Sequence, residues 1–233
     1  FLLPPAATLP PAATATADDG LGAAKKALEG AISAQDLNRA RDAIKAVAAE
    51  PGEKAVKVVA AVIPAARELD IYKDLVEALA AMAGASDPAL KEIVRTASKD
   101  PEWMVRFLFV EALADVDKPE ARQALFGASD DKNQTVAAQA MHVAGTRKIK
   151  AAVGPLIDAC DRFAKKEKEE RLSTEARLAL AAITGESFTP PGDWKRWWEA
   201  NEADFDPLNV AERKARLDGS RGLRRVEDAG AQE

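Results

Sequence analysis

The sequence predicts an all-α fold, an α-solenoid of roughly four to five stacked antiparallel helical hairpins. Three observations carry that prediction. Hydrophobic residues make up 47% of the chain, yet aromatics only 5%, and alanine dominates the remainder. Alanine favours helix and lets helices approach closely. The apolar/polar alternation of a half-buried strand is nearly absent. Finally, one helical pattern recurs along the chain, which is the mark of stacked repeats.

The elements follow from spacing and punctuation. Residues 23–33 and 37–49 carry apolar side chains at helical intervals and stop at Pro51-Gly52. A helix over 55–66 should end or kink at Pro64, and one over 71–83 should close at Gly84. Ser86-Asp87-Pro88 and Lys99-Asp100-Pro101 each place an acidic N-cap before a proline, with helices predicted over 90–97 and 103–114. Helices over 119–126, 135–143, 151–163 and 173–183 continue the series, and Asp206-Pro207 announces a last one.

Repetition sets the register. Val105-Arg106 with Glu111-Ala112-Leu113 superimposes on Ile71 with Glu77-Ala78-Leu79, 34 residues earlier. It also superimposes on Val136 with Val143-Ala144-Gly145, 31 residues later, and Ala176-Arg177 with Ile183-Thr184-Gly185 lies 40 beyond that. The longer interval coincides with the mixed-charge run Lys165–Arg171, read as a solvated insertion. Residues 43–48 read as a degraded earlier copy. Each copy is a second helix whose apolar side cannot be buried within one hairpin, so neighbours must stack.

The Asp100-Pro101-x-x-x-Val105-Arg106 segment followed by Glu111-Ala112-Leu113 resembles the second helix of HEAT repeats. It is most similar to the shorter phycobilisome-lyase type. Ile183-Thr184-Gly185-Glu186-Ser187-Phe188 and then 193–201, with Trp194, Trp197 and Trp198, resembles the C-terminal ending of many bacterial HEAT-repeat proteins. The resemblance implies architecture, is nearly silent about activity, and carries over no catalytic residue. The chain is expected to divide into four parts: a Pro/Ala/Thr-rich signal-peptide remnant or linker (1–20), a HEAT-like array (21–185), a Trp-rich C-terminal cap (186–210) and a charged, flexible tail (211–233).

Function classes narrow from composition. The net charge of −5, from 33 basic and 38 acidic residues, argues against nucleic-acid binding, which leans on a basic excess. Cys160 and His142 are the sole residues of their types, so no Cys/His zinc cluster can form within the chain. His142 has no acidic orienter nearby and reads as a surface or inter-repeat histidine, and Cys160 reads as a small core residue without an activated thiol. No phosphate loop, nucleophile elbow or metal-ligand spacing occurs. The expectation is a chain without catalytic residues, cofactor or metal, and without a run apolar enough to span a bilayer.

Binding surfaces are read from two helices. Trp194, Trp197 and Trp198 share one face behind Asp193 as N-cap, and together with Phe188 they are expected to cap the last hairpin. An aromatic platform for a glycan or proline-rich segment is the other reading. In 103–114, Val105, Leu108, Ala112 and Leu113 form the inward stripe. Trp103, Phe107 and Val110 lie on another face and, with Arg106, are the candidate protein-binding residues. Arg106 is also expected in a polar ladder between repeats with Asp100 or Asp131. The Ala13-Thr14-Ala15 and Ala15-Thr16-Ala17 patterns fit signal-peptidase sites and imply export. The functional expectation is a non-catalytic scaffolding module in an exported or envelope-associated complex. The alternatives are a HEAT-like bilin lyase or other small-ligand handler, and a nucleic-acid-binding solenoid.

Overall fold

A computed structural model of the chain describes residues 17–166 and 169–209. Among them every regular element is helical. The α-helices are α1 (Ala17–Ser33), α2 (Leu37–Ala48), α3 (Glu53–Ala66), α4 (Tyr72–Ala85), α5 (Asp87–Lys99) and α6 (Trp103–Leu113). They continue with α7 (Pro119–Gly127), α8 (Gln134–Thr146), α9 (Val153–Ala164), α10 (Glu170–Thr184) and α11 (Pro191–Asn201). Short 3-10 turns at Ala128–Asp130, Lys150–Ala152 and Pro207–Asn209 complete the described part. The expected tail from 211 and the opening residues 1–16 lie outside the described residues.

The helices pair as α1/α2, α3/α4, α5/α6, α7/α8 and α9/α10. Packing runs within each hairpin and between neighbouring hairpins, first helix beside first helix and second beside second. The core is therefore a ribbon between two layers, as a solenoid requires. The described residues form an all-α solenoid of five hairpins.

Burial fixes the register of the second helices. The positions i, i+3, i+4, i+7 and i+8 are Ala40, Ala43, Ile44, Val47 and Ala48 in α2, then Leu75, Ala78, Leu79, Met82 and Ala83 in α4. They are Val105, Leu108, Phe109, Ala112 and Leu113 in α6, Ala137, Ala140, Met141, Ala144 and Gly145 in α8, and Ala176, Ala179, Leu180, Ile183 and Thr184 in α10. All are buried except the half-buried Ala48. This corrects the sequence alignment by one turn in α4, where Leu75 rather than Ile71 is the equivalent of Val105, and by one residue in α8. A slip by one turn keeps an Ala/Leu stripe on the same face, so short apolar cues cannot exclude it. The copy in α2, read as degraded, carries the full stripe.

The caps also shift. Ser86, not Asp87, caps α5, its Oγ accepting from the Ala89 N–H at 3.4 Å. Asp100 sits in a turn ahead of α6 and accepts from the Glu102 N–H at 2.9 Å, leaving Glu102 as N-cap. The tryptophan helix starts at Pro191 behind Pro190, so Asp193 lies inside its first turn and pairs with Arg196. Pro64 stays within α3, which ends two residues later. α1 begins at Ala17, earlier than the predicted start and inside the segment assigned to a linker.

The second-helix layer is the tighter one. α8 and α10 come so close that a Cβ on Gly145 would stand 2.8 Å from the Cα of Ala179. In contrast, α7 and α9 are not among the principal packing partners. Gly145 has no side chain because the facing backbone occupies its space, whereas Gly84 in α4 faces nothing within 4 Å. Replacing Gly145 with Ala therefore overpacks a backbone contact and should cost about 1–3 kcal/mol. Gly84→Ala should stabilise by about 0.4–1 kcal/mol through a less flexible unfolded chain. Chemical denaturation of both variants checks the pair, and a neutral Gly145→Ala would contradict the register.

Candidate functional site

Two features stand out once the helices are placed: a buried arginine rung and an open aromatic groove. The rung is built on Arg106, which is 1% exposed in the interior of α6. Its Nε and Nη2 donate to Asp131 Oδ2 and Oδ1 at 2.7 and 2.8 Å, and its Nη1 donates to the carbonyls of Asp100 and Pro101 at 2.7 and 3.2 Å. Asp131 stands just ahead of α8, in the next hairpin, and also accepts from the Asn133 N–H at 2.7 Å. The guanidinium fork thus ties one repeat to the next. Arg106 takes the ladder role with Asp131, and through the Asp100 carbonyl, and it is not a surface binding residue. Val110 is fully buried as well, because α6 is enclosed by α3, α4, α5, α7 and α8. These two positions drop out of the expected binding face for the same reason: the middle of an array has neighbours on every side.

Arg41 occupies the position in α2 that Arg106 holds in α6, one residue after the first of the buried stripe. Its Nε donates to Asp74 of α4 at 3.1 Å and its Nη2 to the Asp70 carbonyl at 3.2 Å. Further links between repeats run from Arg147 to Asp115 at 2.8 Å, from Gln139 to Glu111, and from Arg162 to Asp130. These are more exposed and contribute little individually.

The groove lies where α3 ends and α4, α6 and α8 begin. It has a volume of about 310 Å³, with Ile63, Leu69, Leu75, Met104 and Leu108 forming its apolar lining alongside the rings of Tyr72, Trp103 and Phe107. Phe107 sits in the middle, with its centroid 6.2 Å from that of Tyr72 and 6.4 Å from that of Trp103. Tyr72 and Trp103 are each 41% exposed, among the few large apolar side chains left in water. Half burial, and then the charge of Glu111, push the Tyr72 phenol above its ordinary pKa, so it stays a neutral donor at physiological pH. Of the predicted binding residues, Trp103 and Phe107 therefore meet in one groove. Tyr72, which the sequence did not single out, completes it from the neighbouring hairpin.

The other candidates fall elsewhere. Trp194 is fully buried, its indole N–H donating to the Phe188 carbonyl at 3.0 Å, and α11 lies against α9. Phe188 meets Trp194 edge-to-face at 4.9 Å, while Trp197 and Trp198 are half-buried and close over Phe205 at 5.7 and 5.6 Å. Phe205 is a further member of this cluster that the sequence did not announce. His142 is exposed, whereas Cys160 is buried and burial raises its thiol pKa. Among the described residues no group of three or more His, Cys, Asp and Glu side chains could hold a metal. No helix among them is long and apolar enough to cross a membrane. A second, more polar cleft of about 560 Å³ lies between α5 and α7, with Arg106 and Asp131 in its lining.

The geometry defines a class, a helical-repeat solenoid with an apolar groove at one edge of its second-helix layer. The family model for HEAT repeats matches residues 59–145, from within α3 to the end of α8, which supports a HEAT-repeat protein. No curated protein matches the sequence.

The Arg106–Asp131 pair has a pH consequence. Burial on its own pushes the Asp131 carboxyl up. The hydrogen bonds from Arg106 and the Asn133 N–H, with the arginine charge, outweigh it and hold the pKa below the ordinary aspartate range. A depressed folded-state pKa stabilises above the unfolded value, near about 3.9, and that contribution is lost as pH falls through the lower folded value. Asp131→Asn should flatten the acid limb of the stability curve in that window. Arg106→Met, which leaves a buried carboxylate alone, should cost about 3–5 kcal/mol at neutral pH. Urea titrations across pH read both effects.

Proposed function

We propose that this chain is a non-catalytic protein-interaction module that docks its partner on the Tyr72–Phe107–Trp103 groove. The observation that carries the proposal is the pair of rings left 41% exposed over a continuous apolar lining. Aromatic side chains in a shallow, pre-formed groove supply contact area at low entropic cost and are enriched at the centres of protein interfaces. The rigidity comes from the repeats behind them, since α4 and α6, from successive hairpins, set the spacing of the rings. HEAT repeats are typical of interaction scaffolds, which supports the same reading. The small-x-small patterns at 13–17 and the proline-rich composition ahead of them support placement in an exported or envelope-associated complex.

The test uses the full chain from its native host. Tyr72→Ala and Trp103→Ala together remove exposed rings, so circular dichroism should stay helical and the melting temperature should move little. A partner that co-purifies with the unaltered chain should fall at least ten-fold with the double variant. Equal recovery from both chains would rule out the groove as the docking site.

A further inference from the structure

Arg177 repeats the chemistry of Arg41 and Arg106 without their acceptor. All three follow the first residue of the buried stripe: Ala40-Arg41, Val105-Arg106 and Ala176-Arg177. In the first two hairpins concerned, the following repeat delivers an aspartate to the guanidinium, Asp74 to Arg41 and Asp131 to Arg106. The fifth hairpin is the last among the described residues, and α11 lies against α9 rather than extending the second-helix layer. Arg177 Nη2 donates to Thr174 Oγ1 of its own helix at 3.1 Å, and its Nε is buried with no hydrogen-bond partner.

The space where an acceptor would enter is open. A cavity of about 370 Å³ adjoins Arg177, lined by Lys165, Lys166, Ser173 and Thr189. Glu170 also contributes to the lining, but it is exposed and makes no bond to Arg177. Lys165 and Lys166 keep surface partners in Asp161 and Glu169 at 2.7 and 3.0 Å. Among the described residues the lining thus holds three cations against one acid, with two hydroxyls beside them. A buried guanidinium N–H without an acceptor costs free energy that an entering carboxylate recovers. Lys165 and Lys166 favour the same charge.

We infer that the cavity beside Arg177 is the last rung of the arginine ladder and binds a polypeptide carboxylate. The chemistry is an aspartate or glutamate side chain held by the Arg177 fork, as Asp131 is held by Arg106. The carboxylate comes from an acidic segment of a partner, since residues 210–233 of this chain carry more basic than acidic side chains; capture of the chain's own acids is the other outcome of the test.

Two arms separate the sources, both on the full-length chain. In the first, Glu212→Gln, Asp218→Asn, Glu227→Gln, Asp228→Asn and Glu233→Gln are introduced together. If the chain's own tail fills the rung, these changes lower the melting temperature, and the drop disappears in an Arg177→Met background. In the second, tetra-aspartate is titrated by calorimetry. If a partner supplies the acid, the peptide binds the unaltered chain, and Arg177→Met weakens binding at least ten-fold. Arg177→Lys, which keeps the charge and loses the fork, should weaken it nearly as much. Tail changes with no Arg177-dependent effect, together with peptide binding that is absent or indifferent to Arg177→Met, would overturn the inference. Neither arm touches Tyr72 or Trp103, so its failure leaves the groove reading standing, and the converse holds.

Discussion

No hairpin in this molecule can hide its own second helix, and that single constraint shapes the rest. The stripe at i, i+3, i+4, i+7 and i+8 is wider than one partner helix covers, so the second helices press against one another through small side chains. Alanine at Ala40, Ala137 and Ala176, and glycine at Gly145, are what that close approach demands. The first-helix layer carries no such restriction, and between α7 and α9 it loosens. Stability in such an array is a sum of neighbour terms, so a defect at one interface weakens the stack locally before it spreads.

The polar links follow the same one-dimensional logic. A fork such as Arg106–Asp131 is buried to 2% and 7% side-chain exposure, which makes both charges costly without each other. Its worth therefore lies less in net stability than in register. A neighbour displaced by one turn would bury an arginine and an aspartate apart, a penalty that an alanine stripe cannot impose. The ladder supplies the specificity that small apolar side chains lack.

This also explains what could be read from the sequence. The helices, their breaks and the presence of repeats are local properties, carried by alanine-rich spacing and by Pro51-Gly52, Pro88 and Gly185, whose φ of 72° needs glycine at the end of α10. The one-turn slip at α4 was not resolvable, because Ile71 and Leu75 both satisfy a helical stripe and only the facing hairpin selects between them. The aromatic residues divided in the same way. Trp103 and Phe107 are visible as bulky side chains off the main stripe, but Val110 has the same spacing and is buried by neighbours distant in sequence. Tyr72 reaches the groove from another hairpin, so no local pattern marks it. Phe205 joins the tryptophan cluster by a chain reversal after α11 that spacing does not encode.

The two surface features are consequences of where repetition stops being complete. In the middle of the stack, α4 and α6 present aromatic side chains at one edge, where the end of α3 covers them only in part. Tyr72 and Trp103 therefore remain half in water, with the partly buried Phe107 between them over an apolar lining that the array itself needs. Further along, α11 and its aromatic cluster shield α9, but among the described residues α10 receives no following second helix. The apolar part of that deficit is small, with Leu178 left 60% exposed, while the polar part is the unanswered Nε of Arg177. A terminal repeat needs shielding, and among the described residues the aromatic cluster gives it to the first-helix layer while the second-helix layer keeps Arg177 without the aspartate that its counterparts hold.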